Sequence, residues 1–106
     1  MPAYLFGEIE IADPAAYEAY RRDVPALIAA HGGRYLARGG AAELVEGDTA
    51  PKRLILLEFP TMERLRAFYH APEYQAMKAL RQGASTGRLV ALEGVAPPLA
   101  TLSKQS

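Results

Sequence analysis

Polar and apolar positions alternate at the start of the chain. In residues 4–11, YLFGEIEI, Leu5, Gly7, Ile9 and Ile11 fall on one face of an extended segment and Tyr4, Phe6, Glu8 and Glu10 on the other, the period of two that a β-strand imposes. The period changes at Asp13-Pro14. An aspartate there can accept from the first free amides of a helix, and a proline at the first helical position loses no bond, so a helix is predicted to start. Tyr17, Tyr20, Val24, Leu27, Ile28 and His31 then form one stripe at helical spacing, Gly32-Gly33 ends it, and Pro25 predicts a kink inside it.

From Arg34 to Glu46 the chain reads as a second extended segment, with Gly39-Gly40 suited to a bulge or sharp bend. A turn cluster over residues 47–51 separates it from residues 53–59, RLILLEF, and the two segments are predicted to form a hairpin. Thr61 offers an N-cap for a second helix whose inner stripe is Met62, Leu65, Phe68 and Tyr69. That helix ends near Ala71, and Pro72 restarts it with Tyr74, Met77 and Leu80 along one side until the Gly83–Gly87 stretch. Residues 88–93 make the last strand. Residues 96–106, with Pro97-Pro98, show no period and read as a flexible C-terminal tail after one domain spanning 1–95.

The order is β-α-β-β-α-β with the second helix in two pieces. This is the ferredoxin-like α+β arrangement, a four-stranded antiparallel sheet with helices on one face. Both faces of the first and third strands carry large apolar side chains, and one helical layer can cover only one of them. The uncovered face predicts a homodimer in which two sheets pack together.

Composition narrows the function classes. The chain has 106 residues, half of them hydrophobic, with 12 Lys+Arg against 12 Asp+Glu. That balance leaves no global field to attract nucleic acid or an anionic membrane. Without cysteine there is no disulfide framework, thiolate chemistry or cysteine metal site. No run approaches the length of a membrane span and no leader pattern opens the chain, so a cytosolic protein is expected. Two histidines in separate elements give no metal-ligand spacing, and no nucleotide-binding loop or nucleophile elbow appears, so neither a metal nor a cofactor is expected.

Three motifs in order, GGRYLARGG at 32–40, GD…P-R…LEFP across 47–60 and YHAPEYQAMKALRQGAS at 69–85, together with the DP-x-x-Y helix start at 13–17, resemble one family over about residues 3–95. It is the bacterial domain-of-unknown-function family numbered thirteen-thirty, in the dimeric α/β-barrel superfamily. The resemblance implies a ferredoxin-like fold dimerised through its sheets. Its wider relatives, among them antibiotic-biosynthesis and haem-degrading monooxygenases, place ligands between sheet and helices. Haem-degrading relatives use a tryptophan, and this chain has none. Fold analogy does not transfer a reaction.

Several residues carry candidate chemistry. Arg38, beside Gly39-Gly40, is expected roughly opposite Glu58; the pair reads either as an anion clamp with Glu58 orienting it or acting as a base, or as a structural salt bridge. An imidazole is the ordinary side chain for proton transfer near neutral pH, so His70 is the candidate, although a lone exposed histidine is common. Tyr69, Tyr74 and Arg81 flank the helix break, and Tyr74 and Arg81 can donate to a carboxylate in the cleft; the alternative has Tyr74 in the core and Arg81 at the helix C-terminus. Tyr17, Tyr20, Met62 and Met77 sit at core spacing, and His31 is expected to meet terminal carbonyls. The combined expectation is a homodimer binding a small organic ligand, an anion on one reading, with cofactor-independent proton transfer or oxygenation if it is an enzyme. The rival expectation is a non-catalytic binding or structural module.

Overall fold

A computed structural model describes residues 1–95; the predicted tail at 96–106 lies outside the described residues. The elements are β1 (Ala3–Ile11), α1 (Pro14–Ala30), β2 (Arg34–Arg38), β3 (Arg53–Phe59), α2 (Met62–Tyr69), α3 (Pro72–Ala84) and β4 (Ser85–Glu93). The strands form one antiparallel sheet in the order β2-β3-β1-β4, with all three helices on one face, the ferredoxin-like arrangement. Asp13 Oδ1 accepts from the Ala16 amide at 3.1 Å and Thr61 Oγ1 from the Arg64 amide at 3.1 Å, so both predicted caps start their helices.

Register assigns each side chain to a face. Leu5 stands between Leu57 and Ala91, and Gly7 between Ile55 and Leu89, on the helix side. Phe6, between Leu56 and Val90, and Tyr4, beside Leu92, stand on the opposite side. Beneath the helices, Val24, Ile28, Leu57, Phe59, Leu65, Phe68 and Tyr74 form the buried core, with Met62 and Met77 packed against it. Phe59 and Tyr74 are each 0% exposed. The outer face stays open, with Leu92 61%, Leu36 43% and Val90 40% exposed.

Three boundaries differ from expectation. The second strand is five residues long and stops at Arg38, not at Glu46. Its irregularity falls between Tyr35 and Ala37, not at Gly39-Gly40. The alternation resumes one residue out of step after Leu36, and Gly39 then takes φ +67 and donates its amide to Leu54 O at 2.8 Å, which turns the chain off the sheet edge. At the far end, α3 continues through Gly83 and β4 begins at once with Ser85, three residues before the predicted strand. Ala84 O accepts from the Ala12 and Asp13 amides at 2.9 and 3.0 Å, and Ser85 Oγ donates to Arg81 O at 2.6 Å, so the junction is held without a turn. Gly87, at φ +145, lies inside the strand, where its backbone passes against Glu8 O.

Candidate functional site

Between α1 and the β2–β3 half of the sheet lies a cavity of about 40 Å³. Its apolar walls include Leu5, Val24, Ile28, Ile55, Leu57 and Phe68, and its polar lining is Tyr17, Tyr20, Tyr35, Tyr74, Arg21, Arg38 and Arg53. Among the described residues, no carboxylate side chain lines it.

The fold brings these groups together by parity. Tyr35 faces Leu57 and Arg38 faces Ile55 across the β2–β3 ladder, while Arg53 faces Ile9, so all three point to the helix side. Tyr17, Tyr20, Arg21 and Val24 come from one stripe of α1. Helix α1 runs through Pro25 as a single element. Because proline has no amide hydrogen, the carbonyl of Arg21, four residues earlier, loses its helical partner. Arg38 Nη2 donates to that carbonyl at 2.7 Å, and its guanidinium lies 4.4 Å from the centroid of the Tyr35 ring. A helix defect on α1 thus becomes the anchor for an arginine on β2.

The tyrosines form a connected layer. Tyr20 and Tyr74 share a hydroxyl–hydroxyl hydrogen bond of 2.9 Å, and the Tyr74 ring lies 4.7 Å from Phe68 and 5.5 Å from Tyr69. Burial pushes the Tyr17, Tyr20 and Tyr35 phenols upward; neighbouring Arg53 opposes this at Tyr17 and Arg38 opposes it at Tyr35. At neutral pH the three are uncharged hydroxyls. Each has a folded pKa above its unfolded value of 10.0, so the folded chain holds protons that the unfolded chain releases. Their contribution is therefore complete below about pH 10 and is lost as pH climbs past it. The melting temperature measured by circular dichroism should fall steeply above that point, with tyrosinate absorbance rising in the same transition. Tyr20→Phe should flatten the fall.

Of the residues picked from sequence, Arg38 and Tyr74 line the cavity. Arg81 stands behind the tyrosine pair, 8% exposed, with its guanidinium 6.0 Å from the Tyr20 ring centroid. Tyr69 and His70 lie elsewhere, with Leu65, Arg66 and Leu89 along a groove of about 290 Å³ between α2 and β4. His70 ends α2 and is exposed, with its ring 5.3 Å from and perpendicular to that of Tyr69. The expected Arg38–Glu58 pair does not form. Glu58 is opposite Arg34, which binds it at 2.8 Å, and it shares the outward parity of Tyr4. The short, bulged β2 sets this register, moving Arg38 to the level of Ile55. Ordinary roles also appear: His31 Nδ1 donates to Leu27 O at 3.0 Å, as terminal carbonyls invite.

Sequence reading passed over Arg21, Tyr35 and Arg53 and assigned Tyr17 and Tyr20 to packing alone. A signal for Arg53 was present. It shares the parity of Ile55, Leu57 and Phe59, an arginine on the buried side of a strand.

The DUF1330 family, a domain of unknown function, matches residues 2–95. No curated protein matches the chain. Among solved structures, RPA0582, a protein of unknown function from Rhodopseudomonas palustris, is similar with a TM-score of 0.72 at 22% identity, covering 91% of this chain and 84% of that one. SnoaB, a cofactor-independent oxygenase from Streptomyces nogalater, is similar with a TM-score of 0.64 at 13% identity, covering 91% and 95%. At these identities the likeness is one of fold.

Proposed function

The chain belongs to the DUF1330 family, and from that premise we propose that it acts as a homodimer binding a small anionic organic molecule in the cavity between α1 and the sheet. One observation carries this reading: among the described residues, three arginines and four tyrosines line the cavity and no carboxylate side chain does. The whole chain is charge-balanced, 12 against 12, so the local excess of cations comes from folding, not composition. Guanidinium groups hold negative charge, neutral phenols donate to it, and the aromatic and aliphatic walls accept an apolar body.

The dimer follows from the open sheet face. Tyr4, Phe6, Leu56, Val90 and Leu92 form one outward apolar surface, which a second copy covers with the same residues about a two-fold axis. A second reading, cofactor-independent proton transfer or oxygenation of the bound anion, is supported by the Tyr20–Tyr74 hydroxyl pair, which can donate hydrogen bonds to a bound enolate or phenolate and so stabilise it. The name of SnoaB describes that protein's activity and makes oxygenation the first reaction to assay.

Native mass spectrometry of the untagged protein tests the reading. The expected spectrum is two copies carrying a discrete small mass that denaturation releases as an acid. A bare dimer would favour a purely structural module, and a bare monomer would overturn both parts.

A further inference from the structure

We propose that Arg53 is the group that grips the ligand, and that the ligand presents a planar carboxylate to it, head first. The assignment rests on the cavity being the ligand site and adds which residue selects the ligand's chemistry.

Arg53 stands on the buried side of the sheet beside Ile9, where a guanidinium is costly to desolvate unless an anion meets it. Among the described residues no carboxylate does so: the salt bridges there belong to Arg21, Arg22, Arg34 and Lys52. Its Nε is fully buried and has no hydrogen-bond partner among the described residues, while the guanidinium lies beside the Tyr17 phenol. Arg81 Nε is buried and unpaired as well, but Arg53 alone of the two lines the cavity, where a ligand can supply the missing acceptor.

The other two lining arginines are already engaged. Arg38 donates to Arg21 O and stacks on Tyr35, and Arg21 is half exposed and paired with Glu18 at 3.3 Å. Both are exposed, whereas Arg53 is half-buried with its Nε closed off from solvent. The backbone is also shaped around Arg53. Gly39, at φ +67, passes directly over the guanidinium, and a methyl group there would overlap it.

Size and shape then choose the anion. A cavity of about 40 Å³ holds about three water-sized groups, which fits a carboxylate and its α-carbon with the rest of the ligand directed to the mouth. The guanidinium fork matches a planar carboxylate through two parallel bonds, a match that a lysine ammonium cannot make.

Titration calorimetry with benzoate, its neutral isostere benzamide and inorganic phosphate, alongside NMR of the Arg53 Nε–Hε signal, tests this. Benzoate should bind at least about tenfold more tightly than benzamide and than phosphate, and should shift the Arg53 signal. Arg53→Met should abolish binding, and Arg53→Lys should weaken it by at least about tenfold despite keeping the charge. Gly39→Ala, which keeps the Arg53 side chain but displaces it, should weaken binding similarly, while Arg22→Ala, an exposed α1 arginine outside the cavity lining, should stay within a few-fold of wild type. Should Arg53→Met bind as wild type while Arg38→Ala does not, the cavity remains the site and the Arg53 assignment falls. If wild type binds benzoate no better than benzamide, both fall; equal affinity for phosphate overturns the planar-carboxylate selection.

Discussion

Phe59→Ala is expected to remove about 3–5 kcal/mol of stability, a large fraction of the about 5–15 kcal/mol that a domain possesses. Phe59 is 0% exposed, ends β3 under the helices, and lies 5.4 Å ring to ring from Phe68. Its ring also fills the space beside Gly33, where an added methyl would collide with both Phe59 and Ile28. The α1–β2 turn, the sheet end and α2 therefore close on one side chain, and little around it can collapse into the void. Thermal denaturation should show a drop of about 15 °C or more, and Phe59→Leu a much smaller one. A loss below about 1 kcal/mol would mean that the β3 end is not the keystone of the core.

The second large effect concerns the open face. Leu56 pairs with Phe6 at the centre of the outward surface, remote in orientation from the cavity. Leu56→Arg places a charge from each copy into the proposed sheet-to-sheet contact, where it finds no partner. Dimer affinity should fall by at least about a hundredfold while the far-ultraviolet spectrum of the folded chain is retained. Sedimentation velocity would show the shift from two copies to one; an unchanged assembly would move the interface elsewhere.

The sequence carried the fold through its strongest local signals. Asp13-Pro14 and Thr61 mark helix starts because their side chains act on the next few amides, a purely local event. The β2 end was hidden, because whether residues 39–46 continue a strand depends on a partner edge that begins only at Arg53. The same is true of the site. Arg38 and Glu58 are plausible partners by counting, but a single bulge near Leu36 gives Glu58 to Arg34. Tyr17 and Tyr20 do pack, as their spacing suggests, yet packing and lining a cavity share one helical stripe and cannot be told apart by period. The link from Pro25 through Arg21 O to Arg38 joins three positions whose relation exists only after folding.

The most direct measurement is a difference electron-density map from crystals grown with benzoate. The account predicts a carboxylate within hydrogen-bond distance of the Arg53 guanidinium, with the ring directed toward Arg21 and Arg38. Density confined to the α2–β4 groove beside Tyr69 and His70, or to the protein surface, would contradict it.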